Sequence, residues 1–132
     1  MQKINCALIA EDNDITIFLN QEVIKKLNIT NDIRIAKNGK VAISAILEYA
    51  ETHEGRSPEL ILLDLNMPVE DGFDFLENFN KMKLSNKEKV KVILLTNATQ
   101  TKLIEKLICD CEVQLMHKPM TEQKLNQILG LN

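Results

Sequence analysis

No stretch of this 132-residue sequence stays apolar long enough to cross a bilayer; its strongest runs, Leu60 to Leu63 and Val92 to Leu95, are far too short. Cysteine is scarce. Cys6, Cys109 and Cys111 form an odd set of three with no second Cys pair or His cluster at metal-ligand spacing, so neither a disulfide framework nor a zinc site is expected. Neither a GxxxxGK loop followed by Ser or Thr nor a GxGxxG fingerprint occurs, so a nucleotide cradle is not supported. Charge of one sign is also lacking. The 16 Lys and Arg against 19 Asp and Glu give a net charge of -3, and no basic stripe is gathered for neutralising nucleic-acid phosphates. Met1 to Asn5 leads straight into a strand-like segment, so no secretion signal is read and a reducing cytoplasm is the expected setting.

What is present is ordinary for a globular protein: 45% apolar and 27% charged residues, in a length that suits one domain spanning 1–132. Ile4 to Ala10 is a buried-type apolar run that stops at Glu11-Asp12-Asn13-Asp14. From Ile15, the residues Phe18, Leu19, Val23, Ile24 and Leu27 recur at helical spacing and predict a helix with these on its buried face. Ile33 to Ala36 alternates like a short edge strand, and Asn38-Gly39 turns into a helix carrying Val41, Ala42, Ile43, Ala45, Ile46 and Tyr49. The pattern then repeats. Leu60 to Leu63 closes on Asp64, a Pro68–Gly72 turn leads to a helix marked by Phe73, Phe75, Leu76, Phe79 and Met82, and the Lys-rich 81–91 stretch reads as a solvated loop. Val90 to Leu95 predicts a fourth strand ending at Thr96. A helix over Leu103 to Ile108 follows, then a fifth strand over Val113 to Met116 before His117-Lys118-Pro119, and a last helix capped near Thr121.

Five strand–helix units at this spacing predict an α/β fold: a doubly wound, five-stranded parallel sheet with helices on both faces. In such sheets ligands gather beyond the carboxyl ends of the strands. There the sequence places Glu11, Asp12, Asp64, Thr96 and Lys118. Carboxylates crowded together repel unless a cation neutralises them, and hard oxygen ligands with room for water suit Mg²⁺. Asp64 is a competent nucleophile toward phosphorus, Lys118 offers a mobile positive charge, and the Thr96 hydroxyl can bond a phosphoryl oxygen.

Four motifs, ALIAEDN, LILLDLNMPVEDG, VILLTNA and HKP, follow one another at intervals that resemble the receiver domain of two-component response regulators over essentially the whole chain. The resemblance implies a flavodoxin-like receiver fold in which Asp64 is phosphorylated by a sensor histidine kinase or a histidine phosphotransfer protein. It implies that Glu11, Asp12, Asp64 and the backbone carbonyl of Asn66 hold Mg²⁺, and that Thr96 and Lys118 contact the phosphoryl group. It further implies a cis Lys118-Pro119 bond. Output would run through a downstream protein target met by the surface around Lys102–Leu107 and Val113–Gln127, with no nucleic-acid or membrane partner and with phosphorylation-dependent dimerisation left open. The chemistry would be self-phosphorylation and self-dephosphorylation rather than enzymatic turnover on a separate substrate. Leu115 stands where receivers usually carry a switching aromatic. Asn97 is bulkier than the small residue common after the Thr, and Ala98 has no group to orient a hydrolytic water.

Two alternatives remain open at this point, a phosphorelay intermediate and a metal-dependent phosphohydrolase. The second is disfavoured because Asn66 stands where such enzymes place a general-acid Asp. Several residues have plainer readings: Asp14 as a helix cap, Asp71-Gly72 as a turn, His53 and His117 as surface or satisfied histidines, and Phe73, Phe75 and Phe79 as core.

Overall fold

A computed structural model describes residues 4–65, 72–96 and 112–130, without the side chains of 72 and 73. The expected turn at 68–71, the helix over 103–108, and Asn66, Asn97, Ala98, Cys109 and Cys111 lie outside the described residues. Five parallel strands, β1 (Ala7–Ala10), β2 (Ile33–Ala36), β3 (Leu60–Asp64), β4 (Lys91–Thr96) and β5 (Glu112–His117), form one sheet in the order β2-β1-β3-β4-β5. The described helices are α1 (Asp14–Lys26), α2 (Gly39–Thr52), α3 (Gly72–Lys81) and α4 (Glu122–Leu129). The predicted doubly wound sheet is therefore present, with Ile33 to Ala36 at its edge as the alternation indicated.

The apolar strands build two cores because successive side chains point to opposite faces. Leu8, Ile61, Leu63, Val92 and Leu94 meet Ala42 and Ile46 of α2 and Phe75 and Phe79 of α3 on one face. Ala7, Ile9, Leu60, Leu62, Ile93 and Leu95 meet Ile17 and Ile24 of α1 and Leu125 of α4 on the other. Strands buried on both faces have no polar row, which is why they read as continuous apolar runs.

α1 differs from its sequence reading. Its buried row is Ile17, Asn20 and Ile24, whereas Phe18 is 58% exposed and Leu19 54% exposed. Apolar residues occur on more than one side of this helix, so spacing alone does not select the buried one. Its cap also differs: Asn13, not Asp14, accepts the Thr16 amide at 2.9 Å, while Asp14 begins the helix and pairs with Lys37. A further correction concerns the 81–91 stretch. Lys87 is buried, and its Nζ donates to the carbonyls of Asn80 (2.7 Å) and Met82 (2.8 Å), closing the C-terminal end of α3.

Asn86 is buried beside it. Its Oδ1 accepts the Ser57 amide at 2.8 Å and its Nδ2 donates to the Ser57 carbonyl at 3.0 Å, replacing a missing backbone partner ahead of β3. Asn86→Ala should therefore destabilise the fold by about 2 kcal/mol, because it leaves a buried amide and carbonyl with less compensation. Urea unfolding measures this; a loss below about 0.5 kcal/mol would mean that water replaces the side chain at no cost.

Candidate functional site

The strand order reverses beside β1. The chain runs from β1 to β2 on one side and then to β3 on the other, which opens a crevice above the carboxyl ends of β1 and β3. Glu11 and Asp12 follow β1 directly, and Asp64 is the last residue of β3. The register sets Asp64 opposite Leu95 and Thr96 opposite His117, so Thr96 and the Lys118 that follows β5 reach the same edge. The strand ends predicted from sequence thus bring Glu11, Asp12, Asp64, Thr96 and Lys118 together; Asn66 lies outside the described residues.

Glu11 is held rigidly. Its backbone N–H donates to the Ala36 carbonyl at 2.9 Å, and its Oε2 accepts the amides of Asp12 (3.1 Å) and Asn13 (3.2 Å). Its other oxygen, Oε1, is buried and without a hydrogen-bond partner among the described residues. Lys118 Nζ stands 3.0 Å from Asp64 Oδ1 and 3.7 Å from Glu11 Oε1, one ammonium shared by two buried carboxylates. Burial, and then the neighbouring Asp64 carboxyl, push the Glu11 pKa up from 4.5 to about 7, against the opposing pull of the Asn13 amide and Lys118. Thr96 is almost fully buried at the same edge. The Lys118–Pro119 bond is cis, as the resemblance implied.

Oxygens of Glu11, Asp12 and Asp64 lie within 4.8 Å of one another. An octahedral Mg²⁺ shell spaces its oxygens about 3–4 Å apart, so modest side-chain rotation closes the set around one ion. Among the described residues Oε1 of Glu11 accepts no hydrogen bond and faces the Lys118 ammonium at 3.7 Å, an arrangement of clustered carboxylates that fits a divalent cation.

Residues 7–130 match the sequence profile of the response regulator receiver domain. The chain belongs to that family. Response regulator Rcp1 of Synechocystis sp. (strain ATCC 27184 / PCC 6803 / Kazusa) is 31% identical over 91 residues, which cover 69% of this receiver and 60% of that protein. The receiver thus spans less than two thirds of that relative's length. Among solved structures, a two-component response regulator from Cytophaga hutchinsonii superposes with a TM-score of 0.81 at 27% identity, covering 98% of this chain and 96% of the other. The phosphorylated cyanobacterial phytochrome response regulator RcpA gives a TM-score of 0.70 at 25% identity, covering 98% and 89%. Receiver domains are phosphoacceptor signalling modules, and this one carries the acidic cluster of Glu11, Asp12 and Asp64. Among the described residues no helix is long and apolar enough to cross a membrane.

The remaining sequence readings divide. Cys6 is buried and burial raises its thiol to about 12, which leaves it protonated and inert. Phe75 and Phe79 are fully buried and stack at 5.8 Å, as core residues should; the Phe73 side chain is outside the described residues. His53 stacks on Tyr49 at 3.7 Å and its Nδ1 lies 2.8 Å from the Tyr49 carbonyl, a satisfied histidine. His117 is exposed. Sequence reasoning passed over Asn20, a buried polar residue whose Nδ2 has no partner among the described residues, and Lys124, whose contacts bear on the Lys118 segment.

Proposed function

We propose that residues 1–132 form one receiver domain that accepts a phosphoryl group on Asp64 from a histidine kinase or histidine phosphotransfer protein and signals through a protein partner. The observation that carries this reading is the Lys118–Asp64 pair at 3.0 Å, set in a crevice that gathers the carboxylates of Glu11, Asp12 and Asp64. Asp64 Oδ would attack phosphorus in line, the donor's imidazole, or the carboxylate of an acyl phosphate donor, would leave with the electron pair of the broken P–N or P–O bond, and an aspartyl phosphate would remain. Lys118 would follow the new charge, and the Thr96 hydroxyl would donate to a phosphoryl oxygen. Glu11, Asp12, Asp64 and the Asn66 carbonyl would hold Mg²⁺, which supplies neutralising charge for the transferring oxygens. The phosphoryl oxygens, carrying a charge of about -1.5 to -2 in place of the single carboxylate charge, would draw Thr96 and Lys118 inward and bias the surface read by the partner. Leu115, half-buried against the α2–α3 core, would transmit that movement by packing in place of an aromatic ring.

Amide spectra titrated with Mg²⁺, and then with beryllofluoride as a phosphoryl mimic, test the reading. Shifts centred on Asp12, Asp64, Thr96 and Lys118 are expected; saturation without change at those residues would overturn it.

The raised Glu11 pKa gives the metal reaction a pH dependence. Between 4.5 and about 7 the folded, metal-free protein holds a proton that the unfolded chain has released, so this group's contribution to stability is lost as pH rises through that window. Mg²⁺ competes with the same proton. Its affinity should climb with pH and level off above about 7, with up to one proton released per ion below that point. Calorimetry in buffers of different ionisation enthalpy measures the proton count; an affinity flat from pH 5.5 to 8 would show that Glu11 takes no part.

A further inference from the structure

The segment that carries Lys118 is held through its backbone. Pro119 has no N–H, and the Lys118 amide is already committed to the Thr96 carbonyl at 2.9 Å. The carbonyls on either side of Lys118 converge on a single group: Lys124 Nζ donates to the His117 oxygen at 3.1 Å and to the Pro119 oxygen at 3.0 Å. Lys124 stands at the third position of α4, behind the Thr121 cap that accepts its amide at 3.2 Å. A capping box would place Glu or Gln there, and a cation in the first turn opposes the helix dipole. The residue is thus poorly suited to the helix it begins and well suited to the two carbonyls upstream of it.

We propose that Lys124 is a positioning residue for the phosphoryl-transfer site, fixing the backbone on both sides of Lys118 so that its ammonium is held at the carboxylates. The proposal rests on the assignment of Lys118 and Asp64 above. Glu122 beside it pairs with Lys26 of α1 at 3.5 Å, an exposed contact that adds little to holding α4, so the clamp on Lys118 is made by Lys124. Anything that displaces the start of α4 acts on Lys118 through these two carbonyls. Among the described residues the Lys124 ammonium bonds the His117 and Pro119 carbonyls and not the carboxylates, so its action is through the backbone.

The test compares Lys124→Met, Lys124→Arg and Lys26→Met with the unmutated protein, in Mg²⁺ with acetyl phosphate as donor. Lys124→Met should lower the maximal rate of phosphoryl gain about threefold to tenfold, the scale of one or two lost hydrogen bonds, without changing the donor concentration for half-maximal rate. Amide exchange at Lys118 should accelerate by a similar factor while exchange in β1 and β3 stays constant. Lys124→Arg, which can still donate to both carbonyls, should restore both readouts. Lys26→Met removes a cation of the same sign next to α4 and should change neither. Unchanged Lys118 exchange in Lys124→Met, or an equal effect from Lys26→Met, would overturn the proposal. If no protein gains a phosphoryl group, the assignment of Asp64 fails, while the exchange measurement still decides whether Lys124 holds the segment.

Discussion

Asp64→Asn should abolish phosphoryl gain while leaving the fold within about 1 kcal/mol of the original stability. The two effects separate because the side chain has two kinds of neighbour. Its oxygen is the atom that would bond phosphorus, and an amide at the same place is a poor nucleophile with no charge to hold a metal. Among the described residues Asp64 pairs with Lys118 at 3.0 Å, and that ammonium also stands 3.7 Å from a second carboxylate, Glu11, which remains when Asp64 is made neutral. One buried like-charge contact disappears at the same time, which offsets the weakened ion pair. Intact mass and urea unfolding on the same sample check both halves. Full phosphoryl gain in the variant would move the acceptor elsewhere; a loss of several kcal/mol would make Asp64 a structural residue first.

Lys118→Met carries the opposite balance. The apolar part of the side chain is kept, but Glu11 and Asp64, which are 2% and 3% exposed, lose their shared cation. Breaking a buried pair from one side costs about 3–5 kcal/mol, and the lower figure applies here because Lys118 is itself about one-fifth exposed. The cost depends on pH. Lys118 holds the Glu11 pKa down, so without it that pKa rises further and the neutral carboxyl persists to higher pH. Destabilisation should therefore be larger at pH 8 than at pH 6, and Mg²⁺ should recover part of it by supplying the missing charge. Thermal unfolding at both pH values, with and without Mg²⁺, measures this. A loss independent of both pH and Mg²⁺ would show that Lys118 contributes through packing alone.

The site was legible in the sequence because the sheet is parallel. The three central strands β1, β3 and β4 carry uninterrupted apolar runs, so the first polar residue after each run marks the carboxyl edge where ligands gather: Glu11 after Ala10, Asp64 after Leu63, Thr96 after Leu95. The strand order then brought those positions to one crevice. What escaped the sequence were contacts between segments far apart in the chain or set by fine helix geometry. Asn20 lies on the buried row of α1 while Phe18 and Leu19 face outward, because Ile15, Ile17, Phe18 and Leu19 supply apolar residues on several sides and periodicity cannot choose among them. Lys87 looks like one more cation in a basic loop until the carbonyls of Asn80 and Met82 close on it. Asn13 and Asp14 are both good cap residues, and the turn geometry after Asp12 selected the first.

The most direct measurement is the intact mass of the protein after incubation with Mg²⁺ and acetyl phosphate, beside the same mixture with the metal chelated. The gain of one base-labile phosphoryl group is expected, mapped to the peptide that contains Asp64 and absent without the metal. A phosphoryl group on any other residue, or no gain under conditions in which Mg²⁺ and beryllofluoride bind at Asp64, would contradict it.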